Sequence, residues 1–222
     1  MFRDATLVAG KDLRLELRSR VTANQVAPFA LLILILFAFA LDPDRVVLDR
    51  VTPGLFWVAT VLCALLAVQR ACSVEHADGV LDALRLSGLE PAGIFLGKAA
   101  AVAVQLLVLE VLLGLGVVVL YGARLGGWLL LVPTALAATV GLAAAGCLYG
   151  MLAAGLRVRE TLLPLLLLPA LAPVLVAATQ AFEAAFQGVA GEGLRWLGLL
   201  TVFAAGYTAL GIGVFGVLLE DA

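Results

Sequence analysis

The chain has 222 residues, of which 64% are hydrophobic and 14% charged, and its mean hydropathy is +1.13. Soluble domains carry roughly 25% charged and 45–50% apolar residues, so one soluble core does not accommodate this composition. The net charge of −2 identifies no partner, and no basic aromatic surface is present to bind nucleic acid.

Residues 1–20 are charged throughout and lack a short apolar core with a small-residue cleavage site, so no cleavable signal peptide is expected. They read as an amphipathic helix. Phe2, Ala9, Leu13 and Leu17 follow helical spacing on one side, while Lys11, Arg14 and Arg18 gather on another. Glu16 and Arg20 stand one turn apart and can pair. Such a helix lies along the inner membrane surface, its basic side toward anionic lipid. A plain positive-inside anchor and a functional connecting helix both fit this pattern.

Six apolar stretches follow, at 24–41, 52–70, 94–121, 127–155, 161–181 and 195–219. At a rise of 1.5 Å per residue, about 20 residues cross a hydrocarbon layer about 30 Å thick. The stretches are apolar on every face, without the two-residue alternation of barrel strands. Transmembrane helices are therefore predicted, and the fold class is an all-α integral membrane protein. The third and fourth stretches exceed the layer, which calls for tilt or extension beyond it.

Positive charge sets the orientation. Arg3, Lys11, Arg14, Arg18, Arg20, Arg70, Arg85, Lys98, Arg157 and Arg159 fall on one side of this topology, and Arg45, Arg50, Arg124 and Arg195 on the other. The richer side is the cytoplasmic one, so both termini are expected there.

The connection between the second and third stretches carries a helical pattern of its own. Val74, Ala77, Leu81 and Leu84 form an apolar stripe, and Glu75, Asp78 and Asp82 an acidic one, with Gly79 between. Ser73, Glu75 and His76 suit a helix start and Pro91 a stop. A short two-faced helix beneath the membrane can dock into a groove on a soluble partner. Anionic lipid would repel its acidic stripe, which favours a partner over the bilayer.

The third stretch opens with Gly93-Ile-Phe-Leu-Gly97-Lys98-Ala99, which has three residues between its glycines instead of a phosphate loop's four. Ala99 also stands where the magnesium-binding hydroxyl should be, so no ATPase is read here. Glu110 lies near the middle of this stretch, where an acid costs a few kcal/mol unless protonated or partnered. A relay or polar contact is one role. A protonated carboxyl bonded to a helix carbonyl or to Thr139 is the other.

Gly141, Gly146, Gly150 and Gly155 in the fourth stretch, and Gly206, Gly211, Gly213 and Gly216 in the sixth, suit close helix packing. Pro164, Pro169 and Pro173 in the fifth predict a kinked or broken helix, either a hinge or a bent packing element. Cys63, Cys72 and Cys147 lack a C-x-x-C spacing and read as small packing residues. No metal cluster, nucleophile–base pair or paired carboxylate is apparent, so neither a catalytic nor a metal site is expected.

Three segments together resemble the CcmB family, the haem exporter protein B subunits of cytochrome c maturation. They are Lys11-Asp-Leu-Arg-Leu-Glu-Leu-Arg18; Thr52-Pro-Gly-Leu-Phe-Trp57-Val-Ala-Thr60 with Gln69-Arg70, Glu75, Asp78-Gly79, Leu81, Leu84 and Lys98; and Leu163-Pro-Leu-Leu-Leu-Leu-Pro169 with Pro173. The second is the most specific. The resemblance implies an ABC-2-like permease subunit of the inner membrane, served by a separate CcmA-like ATPase that supplies ATP and magnesium. Glu75, Asp78, Gly79, Leu81, Asp82 and Leu84 would then form the ATPase-coupling helix. It further implies CcmC-like and CcmE-like haem-handling partners, release of the haem-loaded chaperone and a second copy of this chain. His76 is the sole histidine and Met1 and Met151 the sole methionines. The outer loops thus offer no axial ligand for haem iron, which favours energy coupling over haem capture by this chain. A permease of the same build for a drug, lipid or polysaccharide is the alternative. Glu110 matches no family motif.

Overall fold

The computed structural model describes residues 1–20, 22–41, 45–77, 88–123, 126–154 and 159–221, all helical apart from short turns. Helix α1 is Phe2–Ser19. A π-helical turn at Thr22–Val26 leads into α2, Ala27–Leu41. There follow α3 (Arg45–Ala77), α4 (Pro91–Tyr121), α5 (Trp128–Ala154), α6 (Arg159–Gln187) and α7 (Ala190–Asp221).

Six segments are long and apolar enough to span a membrane: Asn24–Leu41, Arg50–Ala71, Pro91–Tyr121, Trp128–Ala153, Thr161–Gln187 and Ala190–Leu218. This is a multi-pass, all-α membrane protein. The first four match the expected spans to within about three residues, whereas the fifth ends six residues later and the sixth starts five residues earlier than read. Excess length is therefore not confined to the third and fourth spans.

Ser73 starts no helix, because α3 runs unbroken through it to Ala77. Pro91 opens α4, with Glu90 as its N-cap; the segment it was expected to close lies, from 78 to 87, outside the described residues. Proline suits that position, since its missing N–H is one the first turn leaves unpaired anyway. At the far end, Gly122 closes α4 in the left-handed region at φ 68°, its N–H donating to the Val118 carbonyl.

Helix α3 is the centre of the bundle and α7 a flank: 67% of the α3 span window is buried against 17% for α7. Helix α2 leans on α3 and α4, where the Tyr121 hydroxyl donates to the Leu34 carbonyl at 3.0 Å. Of the fourth-stretch glycines, Gly146 packs against Val68 of α3 and Gly141 against Phe203 and Ala204 of α7, while Gly155 lies outside the described residues. Gly206 and Gly213 correct the reading for the sixth, for a Cβ there would meet nothing within 4 Å. Helix α6 is not broken by its prolines. Its packing face is Leu163, Leu167, Leu171, Val174 and Ala178, while Pro169 and Pro173 lie on the exposed side.

Gly211 is a socket. The Phe95 ring of α4 occupies the place of its absent side chain and packs against Phe215 at 5.5 Å. Phe95 is fully buried, so it has no free space to retreat into. Gly211→Val is expected to destabilise the folded bundle by about 1–3 kcal/mol, the usual cost of overpacking. Lower thermal stability of the purified protein in detergent checks this, with Gly206→Val as the neutral control.

Candidate functional site

Helix α1 does not lie free along the bundle. It crosses the start of α4 at Gly93 and Gly97. A Cβ on Gly97 would stand 2.6 Å from the Ala5 carbonyl oxygen and 2.7 Å from Val8 Cβ, and one on Gly93 2.9 Å from Asp4 Cβ. The segment that resembles no working phosphate loop is thus the first turns of a helix, and its glycines are a small-xxx-small docking face.

Charge follows the same contact. Asp4, Asp12 and Glu16 line the docked side of α1. Asp12 Oδ2 lies 3.7 Å from Lys98 Nζ of α4, and Glu16 Oε2 lies 3.2 Å from Arg70 Nε of α3. Asp4 accepts from the Glu90 backbone N–H at 3.4 Å. The Met1 amine, 2.6 Å from Glu90 Oε2, is held above its usual range by that hydrogen bond. Glu16, which stands one turn from Arg20, reaches Arg70 across helices. Phe2 and Leu17 are exposed, and the apolar residue of α1 buried against the bundle is Val8. Lys11 lies 3.1 Å from Asp12, and Arg14 and Arg18 remain exposed, as a lipid-facing basic side requires.

Arg70 is part of the cytoplasmic-side sequence pattern, a few residues before the two-striped segment. Of that segment, Asp78, Gly79, Leu81, Asp82 and Leu84 lie outside the described residues. For Glu75 and His76 the backbone alone is described, as part of α3. The first residues of the segment thus share one helix with Arg70, which holds α1. The Glu16–Arg70 pair is partly buried, at 13% and 32% exposure. Exposed pairs are worth about 0–1 kcal/mol and broken buried ones cost about 3–5, so Arg70→Glu is expected to cost about 1–3 kcal/mol. The double swap with Glu16→Arg should recover at least half of the loss in a thermal unfolding measurement.

The second feature lies between α3, α4, α5 and α6, toward the end of the bundle away from α1. It is a cavity of about 410 Å³. Phe56, Phe182, Phe186 and Trp128 supply aromatic walls, and Phe56 stacks on Phe182 at 5.3 Å. Glu110 is in its wall and buried. Thr139 Oγ1 lies 2.6 Å from Glu110 Oε1 and 2.7 Å from the Ala135 carbonyl oxygen. One hydroxyl hydrogen serves one acceptor. Both contacts close if neutral Glu110 donates to Thr139 and Thr139 donates onward to Ala135. The expected Thr139 partner is thus the observed one. Cys63 and Cys147 are buried packing residues, and the side chain of Cys72 lies outside the described residues. Among the described residues, no group of three His, Cys, Asp or Glu can hold a metal ion.

Sequence reasoning missed Gly93, Gly97, Asp4 and Asp12. The signal was available, since Gly93 and Gly97 have the same four-residue spacing as Gly146 and Gly150.

Fold and site together define a six-span helical membrane protein whose first helix clamps the ends of two spans beside a charged inter-span connection. The chain belongs to the CcmB protein family, whose pattern its residues 3–217 match. It is similar to the Heme exporter protein B of Haemophilus influenzae, 32% identical over 195 residues covering 87% of this chain and 88% of that protein. The Heme exporter protein B of Pseudomonas aeruginosa is 29% identical over 208 residues, 93% of each. That of Escherichia coli K12 is 37% identical over 92 residues, 40% of this chain and 42% of its own length.

Proposed function

We propose that this chain is the membrane subunit of an ABC-type complex in cytochrome c maturation, with haem as cargo of the complex. In this reading a separate CcmA-like ATPase docks on Glu75, Asp78, Gly79, Leu81, Asp82 and Leu84, and its ATP cycle drives delivery of haem and release of the haem-loaded chaperone. The chain itself is non-catalytic and works with CcmC-like and CcmE-like partners and a second copy of itself. It sits in the inner membrane with both termini in the cytoplasm. Bending of α6 at Pro164, Pro169 and Pro173 serves as its hinge.

The observation that carries the reading is family membership over nearly the whole chain. The continuity of α3 into the two-striped segment supports a mechanical role, because a rigid helix passes displacement along its axis. The test is a haem stain of membranes from cells with and without the gene. Loss of all covalent c-type haem, restored by the intact gene, is expected. Unchanged cytochrome c in the deletion strain would overturn the reading and leave a permease for another cargo.

A further inference from the structure

We propose that the cavity beside Glu110 binds a small ring-bearing amphiphile whose polar end carries an O–H or N–H donor. The inference concerns the half of the bundle away from α1 and does not depend on the ATPase reading. A volume of about 410 Å³ falls within the roughly 300–1,000 Å³ of small-molecule sites, which are mainly apolar with a few placed polar groups. Phe56, Phe182, Phe186 and Trp128 offer ring faces and edges, against which planar rings pack well.

The polar end is specified by Glu110. It is 5% exposed, and its Oε2 has no hydrogen-bond partner. An unpaired buried oxygen is costly where no water is at hand to satisfy it. In the arrangement that closes both Thr139 contacts, Glu110 donating to Thr139 and Thr139 to the Ala135 carbonyl, Oε2 is left as an acceptor, so the missing group is a donor. The hydroxyl of Thr52 in the wall is already committed to the Leu48 carbonyl at 2.7 Å, and the indole N–H of Trp128 can only donate. In that arrangement the acid carries no charge to hold a cation, and a bare acyl chain would leave Oε2 unpaired. Leu136 lies at the cavity and is 46% exposed, so the site opens sideways, toward the layer in which an amphiphile is dissolved.

The test uses membrane vesicles containing the full chain and two photolabels, 4-(hydroxymethyl)benzophenone and 4-methylbenzophenone. They differ only in the donor. Sites of attachment are mapped by peptide mass spectrometry. Saturable labelling within 107–117 and 128–136 is expected, at least tenfold tighter for the hydroxymethyl probe. Glu110→Leu should erase the difference between probes. Leu136→Trp, which fills the cavity from an exposed position and leaves Glu110 in place, should block cavity labelling by both. Equal affinity of the two probes for the unaltered chain would overturn the proposal. So would labels spread along exposed α7 as densely as in the cavity, or a cross-link showing another protein chain seated there.

Discussion

Gly97→Leu is expected to release α1 from the bundle and to abolish cytochrome c maturation while leaving the six spans inserted. The side chain has no place to go. Its first carbon would already collide with the Ala5 carbonyl oxygen and with Val8, both part of an opposing helix and neither a flexible tip. Separating the helices also parts Asp12 from Lys98, which is 9% exposed, and Glu16 from Arg70. Breaking such pairs adds to an overpacking cost of about 1–3 kcal/mol. The direct readout is trypsin cleavage at Lys11, Arg14 and Arg18 in vesicles, which should accelerate about tenfold once α1 is undocked, as about 1.4 kcal/mol of lost docking energy implies. Gly114→Ala is the control, since a Cβ there meets nothing within 4 Å. Unchanged cleavage and normal cytochrome c in Gly97→Leu would show that α1 does not depend on this crossing.

Under the proposed function, Leu81→Pro is expected to remove coupling to the ATPase without loss of insertion. Leu81 belongs to the stripe Val74, Ala77, Leu81 and Leu84, whose spacing in the sequence is helical. Proline in a helix interior costs about 3 kcal/mol by removing a hydrogen bond and clashing with the preceding turn. The proline would fall between the acidic residues Asp78 and Asp82 in sequence. In the reconstituted complex, ATP turnover should drop to that of the ATPase alone, with unchanged amounts of the chain in the membrane. Normal turnover would remove this segment as the docking element, and with it Glu75, Asp78, Gly79 and Asp82.

Hydropathy alone determined that the chain spans a membrane six times with both termini at one end. That end is now seen where Gly216 of α7 approaches Pro91 beside α1. This was legible because hydrocarbon thickness acts on each helix separately, so a local run of apolar residues carries the information. Which face of each span packs was not legible. Protein and lipid are equally apolar, so a helix such as α4, hydrophobic on all sides, has no patterned face to read. The tertiary structure decided that Gly211 and Gly146 pack while Gly206 and Gly213 do not. It also turned the acidic side of α1 inward, because Lys98 and Arg70 converge there from two spans distant in sequence. The Glu110–Thr139 contact was legible as a need, since an intramembrane acid must find a partner. The cavity beside it was not, because four helices build its walls and no single one of them encloses space.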